Sequence, residues 1–188
     1  MNLGEAYLDH YERYLGSFAS DFHARFEHEG VTVQLLDFAG AMQDTHVLAS
    51  LGLTHYQDVL GEVVEVIVPV SELDDVVVNA VAASLTFLLN LRVTVPEVSY
   101  LRHLHRSVPE FAERYGKVAF AFTEPYPFPD SFAQLALSKS ASVGKVRMGF
   151  FLSEAEVRMV EREGFDVLST LFEEQQVDAI DLQRPSVV

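Results

Sequence analysis

The sequence predicts an α+β protein in which a mixed β-sheet packs against a long buried central helix and flanking helices. Stretches rich in β-branched residues, typical of strands, occur both before and after residues 76–91, an uncharged apolar segment of helical length. Strands and helices do not alternate strictly, which favours α+β over α/β. With 188 residues, of which 49% are hydrophobic, the chain is expected to form one domain over residues 1–188.

The N-terminal part begins with an aromatic stripe and continues with strand patterns. The stripe recurs mostly at four-residue steps and predicts one helix, with Gly16 as a candidate break and Gly30 as a natural stop. Its members are Leu3, Tyr7, Tyr11, Leu15, Phe18, Phe22 and Phe26. Three apolar, β-branched stretches then predict strands. These stretches are "VTVQLLDF", "THVLASLGL" and "EVVEVIVPV".

The central helix has a clear predicted start. Ser71 and Asp74 have the spacing of a capping box, and the acidic residues that follow Ser71 favour the positive end of the helix dipole. Arg92 lies near the opposite end, where a cation is favoured. The apolar run is shorter than the roughly 20 residues that a membrane-spanning helix needs. We therefore expect a buried helix of a soluble protein and no membrane association.

A locally basic segment follows the central helix in an otherwise acidic chain. Its basic and imidazole side chains are Arg92, Arg102, His103, His105, Arg106, Arg114 and Lys117. Two histidines separated by one residue share a face only on a strand, and no third ligand follows at the spacing of a metal site. The sequence therefore predicts no metal site.

The C-terminal third combines strands, capped helices and a proline-rich loop. Ser153 and Glu156 form a capping box at the start of a helix, and a second helix follows Gly164. The predicted strands are "KVAFAFTE", "KVRMGFFLS" and the closing "VDAIDL". The loop "EPYPFPD" carries prolines at positions 125, 127 and 129, which keep it extended.

Composition and motifs exclude several classes of function. A formal charge of −15 repels phosphate backbones, so we expect no nucleic-acid partner, whereas a basic protein partner is favoured. The chain has no cysteine and does not begin with a signal peptide, which predicts a cytoplasmic protein. No catalytic or dinucleotide-binding motif occurs. We therefore predict that the protein is not an enzyme and uses no cofactor.

The closing stretch "VDAIDLQRPSVV" leaves three readings open from the residues alone. Asp181 and Arg184 could form an anion site, contribute to an ion pair, or mark the end of a structural element. Pro185 cannot donate a hydrogen bond to a ladder and would end a strand.

Residues 148–187 resemble the C-terminal signature of the suppressor-of-fused-like domain family. In that pattern a strand leads to a Glu-rich helix, a Gly, a Leu/Phe-rich helix and a closing Val-Asp-Leu-x-Arg-Pro type segment. "THVLASLGLT" is similar to the family's T-x-G-M-S strand and turn, with Leu53 in place of Met. "EVVEVIVPVS" and "GKVAFAFTEPYPFPD" follow in the family's order, whereas residues 92–115 depart from its pattern.

The resemblance implies binding rather than catalysis. Stand-alone bacterial members of the family are regarded as immunity proteins or antitoxins, and this cysteine-free acidic chain is similar to them. The first hypothesis is therefore an immunity protein that neutralises a cognate polymorphic toxin, for example a basic nuclease domain, by direct binding. The alternative is a regulatory adaptor that binds an extended peptide of its partner by strand addition. On the same basis, Asp181 and Arg184 are expected to fix the last strand.

Five residues are candidates for the partner-binding surface. Prolines hold the aromatic side chains of the loop in place at little entropic cost, and acidic residues follow at the end of the last helix. The candidates are Tyr126, Phe128, Asp130, Glu173 and Glu174.

Overall fold

An eight-stranded mixed sheet forms the frame of the protein in a computed structural model that describes residues 2–19, 24–95, 100–137 and 143–188. The strands are β1 (Ala24–His28), β2 (Val31–Met42), β3 (Thr45–Leu51), β4 (Val64–Val70), β5 (Tyr100–Arg102), β6 (Lys117–Thr123), β7 (Gln134–Ala136) and β8 (Val143–Ser153). Their order is β1-β2-β3-β4-β8-β6-β5, with β7 also pairing with β8. The β4–β8 pair is parallel and the other pairs are antiparallel. The predicted mixed α+β sheet is thus confirmed.

Seven α-helices pack around this sheet in the described residues. They are α1 (Leu3–Leu15), α2 (Gln57–Leu60), α3 (Asp75–Leu91), α4 (Leu104–Ser107), α5 (Pro109–Tyr115), α6 (Glu154–Glu163) and α7 (Phe165–Glu174). Short 3₁₀ turns precede α2 at Leu53–Tyr56 and follow the proline-rich loop at Asp130–Phe132. The predicted capping box of α6 is present, because the Ser153 hydroxyl accepts from the Glu156 amide and the Glu156 carboxylate accepts from the Ser153 amide.

Alternate strand residues enter separate cores on the two faces of the sheet. On β4, Val66 and Val68 join the core that contains α3, whereas Ile67 joins the core that contains α1. On β8, Phe151 joins the α3 core, while Phe150 joins a third core with α6 and α7. Helix α3 therefore covers one face, and α1, α6 and α7 cover the other.

Helix α3 is the buried central helix that the sequence predicts, but its N-cap differs. The Asp74 carboxylate accepts a hydrogen bond from the Val77 amide at 3.0 Å, which makes Asp74 the N-cap. The hydroxyl of Ser71 instead accepts from the Leu182 amide at 3.1 Å. The predicted pairing of Ser71 and Asp74 was therefore wrong, because Ser71 holds the C-terminal segment. In the ranges described, no helix has the length and apolar character needed to cross a membrane.

The predicted N-terminal stripe is divided between two elements. Helix α1 ends at Leu15, because Gly16 adopts a φ of 85° and leaves the helix. Phe26 lies on strand β1 and packs against the α3 core. Phe22 lies outside the described residues. Four-residue periodicity alone could not show that the second half of the stripe contains a strand.

The closing segment does not form the predicted strand. Residues 178–184 form two consecutive turns, in which the Asp178 side chain accepts from the Ile180 amide and the Asp181 side chain accepts from the Gln183 amide. A backbone amide that donates to the side chain of an aspartate two residues earlier is not available for the hydrogen bonds between strands. Ile180 and Leu182 are nevertheless buried, so the alternation reflects packing rather than strand pairing.

The basic segment does not form a basic patch, because acidic side chains form ion pairs with three of its arginines. Arg92 pairs with Glu29, Arg102 with Glu154, and Arg114 with Glu72 and Asp74. The two histidines also separate. The ring of His103 is buried and stacks on Phe87 at 4.6 Å, whereas His105 is exposed on α4.

A charge on the buried face of α3 should unfold the protein. Leu85 and Leu88 are fully buried, so Leu85→Asp or Leu88→Asp places an unpaired charge in the core at a cost of several kcal/mol. Urea unfolding monitored by circular dichroism measures the loss. Leu91→Asp is the matched control, because Leu91 lies on the same helix and is 46% exposed. Equal midpoints for all four proteins would contradict this packing.

Candidate functional site

A buried ion pair fixes the C-terminal segment and one side of the candidate site. The guanidinium of Arg184 forms two hydrogen bonds to the carboxylate of Glu156, at 2.5 and 3.1 Å, and both side chains are at most 2% exposed. Arg184 also donates to the carbonyl oxygen of Phe151 on β8 at 3.0 Å. Burial raises the pKa of Glu156, but the hydrogen bonds and charge of Arg184 outweigh it and hold this pKa below its usual value.

Neighbouring groups form further hydrogen bonds to Arg184 and Glu156. The amides of Ser153 and Val187 donate to Glu156, and the ammonium of Lys117 donates to the backbone oxygen of Arg184 at 2.9 Å. Among the readings that the sequence left open, the ion pair is correct for Arg184. Asp181 accepts from the Gln183 amide, whereas the carboxylate partner of Arg184, which the sequence did not name, is Glu156 on α6. That partner is 28 residues away in the sequence and becomes a neighbour only when α6 docks.

A groove of about 410 Å³ lies beside this ion pair on the α7 side of the sheet. Its lining comes from the end of β6 and the loop after it, from β8, from α7, and from the segment after α7. The lining residues are Thr123, Tyr126, Phe150, Phe165, Ser169, Phe172, Glu173, Gln176, Val177 and Ala179. The groove is thus an aromatic pocket that carries a few polar groups.

The aromatic rings of the groove contact one another edge to face. Phe150 lies 5.9 Å from Phe165 at an interplanar angle of 70°, and 6.2 Å from Phe172 at 75°. The guanidinium carbon of Arg184 lies 4.7 Å from the centre of the Phe172 ring. Because Glu156 holds Arg184 in place, a fixed cation packs against one face of the Phe172 ring. The geometry of the groove therefore depends on the buried ion pair.

The proline-rich loop presents Tyr126 at the groove. The Tyr126 amide donates to the carbonyl oxygen of Glu124 at 2.8 Å, and the Phe128 amide donates to that of Pro125 at 2.9 Å. These tight turns leave Tyr126 60% exposed. Among the exposed large hydrophobic residues in the described part of the chain, this is the highest value. Because the backbone of Tyr126 is already held in a turn, covering the ring costs side-chain entropy alone.

The five predicted binding residues lie in different environments. Tyr126 and Glu173 line the groove together, whereas Glu174 is exposed on the same helix but outside the lining. The ring of Phe128 packs on Phe132 at 4.7 Å, within the α1 core. Asp130 is exposed at the start of the 3₁₀ turn. The structure thus brings two of the five residues to one site.

Most of the groove could not be identified from the sequence. Phe165 and Phe172 are seven residues apart, which places them on one side of α7, and this spacing was an available signal. Phe150 belongs to an alternating strand, and the pattern does not show which helix covers it. Thr123, Val177 and Ala179 join the site through packing alone.

The chain around the groove is acidic. Between Glu163 and Gln183 the sequence contains six acidic residues and no Lys or Arg. Among the described lining residues Glu173 is the one charged side chain, and it makes no ion pair within the described ranges. The groove therefore combines aromatic surface with uncompensated negative charge.

A second polar cluster surrounds Glu65, which is completely buried on β4. Its carboxylate accepts from the Ser50 hydroxyl at 2.6 Å and from the amides of Gly52 and Thr54 at 2.8 and 3.2 Å. Burial raises the pKa of Glu65 to about 7, although these hydrogen bonds oppose the effect. The carboxylate fixes the corner after β3, where a side chain at position 52 would collide with the Thr32 carbonyl oxygen. Over the ranges described, no three His, Asp or Glu side chains are arranged to hold a metal ion.

A single mixed sheet with α3 on one face and α1, α6 and α7 on the other defines a suppressor-of-fused-like fold. The crystal structure of a protein described as a SUFU (suppressor of fused protein) homolog from Neisseria gonorrhoeae matches the chain with a TM-score of 0.74. The match covers 99% of this chain and 97% of that chain at 15% identity, so it shows the fold alone. Neither a family model nor a curated protein matches the sequence.

Removing Arg184 should destabilise the protein by about 3–5 kcal/mol, because Glu156 would remain buried without a partner. We expect Arg184→Met to lose this free energy of unfolding in urea. The double variant Arg184→Met with Glu156→Leu should recover much of it, since it removes both charges. Arg158→Met is the control on the same helix as Glu156, because Arg158 is exposed. Additive losses in the double variant would contradict a coupled pair.

Ionisation of Glu65 should make stability depend on pH. Its pKa in the folded protein, about 7, is above the unfolded value, so its contribution is complete below the unfolded pKa and is lost as the pH rises through about 7. Glu65→Gln cannot ionise, and its amide oxygen can still accept from the amides of Gly52 and Thr54. We expect the wild type to lose roughly 3 kcal/mol relative to this variant between pH 4.5 and 8. A constant difference in unfolding free energy over this range would contradict the assignment.

Proposed function

We propose that the protein is a non-enzymatic binding module that neutralises a basic partner protein by direct contact, as an immunity protein or antitoxin does. The observation that carries this proposal is the groove. Tyr126 and Glu173 both line it, and the sequence around it is acidic. Exposed aromatic side chains supply much of the energy of protein interfaces. Acidic surfaces speed encounter with cationic partners.

The suppressor-of-fused-like fold supports this proposal by similarity. At 15% identity the likeness does not carry a partner or a role from the neighbour to this chain. The polymorphic-toxin partner is therefore proposed from the acidic groove together with the resemblance of the C-terminal residues 148–187. A basic nuclease domain has the charge that this surface would complement, because such domains bind phosphate backbones.

A second candidate function is strand addition to a partner peptide. The specific observation is that β1 forms one end of the sheet and pairs only with β2 in the described residues. Its five residues alternate between half-buried and exposed positions, as on an open edge. At the other end, β5 has three residues and its Arg102 is paired with Glu154. Edge β1 is therefore the better candidate for an added strand.

The neutralisation proposal predicts that a neighbouring gene encodes a toxin domain, and it is tested by growth rescue from that domain. Wild-type protein should restore growth, whereas Tyr126→Ala should increase the dissociation rate and Glu173→Lys with Glu174→Lys should reduce the association rate and its salt dependence. Rates are measured by surface plasmon resonance at two salt concentrations. Full rescue by a variant with all three changes would exclude this surface.

A charge-matched control and a second readout separate the two candidate functions. Asp9→Lys with Glu12→Lys makes the same charge change on the exposed side of α1 and should leave rescue unchanged. In the complex, hydrogen exchange should slow at Ser169 and Gln176 if the groove binds the partner. Slower exchange at β1 with an unchanged groove would instead support strand addition.

A further inference from the structure

We infer that the groove receives one aromatic side chain of the partner and that Glu173 selects a segment in which cationic residues flank this aromatic side chain. This inference rests on the proposed function, because it specifies what the partner inserts. A volume of about 410 Å³ lies within the range of roughly 300–1,000 Å³ that is typical of ligand pockets. It is large enough for an aromatic ring.

The arrangement of the rings favours an aromatic over an aliphatic occupant. Phe150 meets Phe165 and Phe172 at 70° and 75°, so edges and faces of the rings alternate within the groove. An incoming ring can extend this edge-to-face arrangement, which stabilises aromatic pairs beyond the burial of their area. The exposed ring of Tyr126 would be covered at the same time. An aliphatic side chain would bury the same surface without these oriented contacts.

The groove is organised before any partner arrives. One face of Phe172 is occupied by the guanidinium of Arg184, which is fixed by two hydrogen bonds to Glu156. Phe165 and Phe172 are both anchored on α7, and Phe150 lies on the long strand β8. Rings that are already ordered do not pay the entropy of ordering on binding. The pocket is therefore preorganised for a small, well-defined group.

Charge selects the residues beside the ring. Glu173 lines the groove, is exposed, and makes no ion pair in the part of the chain that the structure describes. A Lys or Arg next to the inserted ring would meet this charge, whereas a Glu or Asp would be repelled. The preferred segment is thus aromatic and basic together.

The inference is tested with three synthetic tripeptides, because each changes one property. The probes are acetyl-Lys-Phe-Lys-amide, acetyl-Glu-Phe-Glu-amide and acetyl-Lys-Ala-Lys-amide. They are titrated into the ¹⁵N-labelled full chain and followed by two-dimensional NMR. We expect Lys-Phe-Lys to shift the amide signals of Ser169, Gln176 and Ala179 in a saturable manner. Glu-Phe-Glu should bind at least about fivefold more weakly, and Lys-Ala-Lys should not saturate these signals.

Two pairs of variants assign the effect to the groove. Glu173→Gln should weaken Lys-Phe-Lys by about two- to fivefold and reduce the preference over Glu-Phe-Glu. Glu174→Gln, one residue away but outside the lining, should change neither. Ser169→Phe fills the groove and should abolish saturable shifts, whereas Thr170→Phe on the same helix should retain them. Both 169 and 170 are exposed positions, so the substitutions do not disturb the core.

The outcomes distinguish this inference from the proposed function. Equal affinity for Lys-Phe-Lys and Lys-Ala-Lys, or for Lys-Phe-Lys and Glu-Phe-Glu, would overturn the inference. So would saturable binding that persists in Ser169→Phe. Rescue from the toxin that still depends on Tyr126 and Glu173 would then leave the proposed function intact. If Lys-Phe-Lys binds as expected but rescue is indifferent to these two residues, the proposed function fails and the inferred chemistry of the groove stands.

Discussion

The buried pair between Arg184 and Glu156 is the interaction on which the C-terminal half of the structure depends. It joins the closing segment to α6 and, through the Phe151 carbonyl oxygen, to the centre of the sheet. A charge pair with exposures of 2% and 0% gains stability when further hydrogen bonds use its remaining capacity. The amides of Ser153 and Val187 do so for Glu156, whereas the Nε atom of Arg184 has no hydrogen-bond partner in the described residues.

The same pair connects structural stability to the candidate site. Arg184 contacts the ring of Phe172, and this ring helps to form the aromatic groove. The cation therefore has two roles, since it neutralises a buried carboxylate and supports a ring of the groove. Glu65 provides a comparable constraint on β4, but with neutral donors in place of a cation. That difference explains why its pKa rises to about 7 while the pKa of Glu156 is lowered.

The structure separates the frame of the sheet from the surface that carries the groove. The sheet and α3 bury the larger core, whereas the groove is made by α7, the segment after it, Phe150 on β8, and the end of β6 with the loop that follows. None of the lining residues belongs to the larger core, although Phe150, Phe165, Phe172, Val177 and Ala179 pack in the third core. The side chains of the groove can therefore differ without a change in the larger core. A shared fold at 15% identity is consistent with this separation, since a fold constrains packing more than it constrains the partner.

The sequence by itself determined the fold class, the elements with strong periodicity and the acidic character of the surface. Helix α3, the capping box at Ser153 and five of the six predicted strands followed from local patterns, because each depends on residues a few positions apart. It also placed Tyr126 and Glu173 among the candidates, since loop prolines and helix-end acids are local features.

Only the tertiary structure decided which distant residues meet. The closing segment alternates like a strand, yet its aspartates bond to nearby amides and form turns. Glu156, and not the nearby Asp181, became the partner of Arg184, and Tyr126 was brought to Glu173 while Phe128 entered another core. Periodicity specifies which face of an element is buried, but not what it is buried against. Those choices depend on packing between segments, which no local pattern encodes.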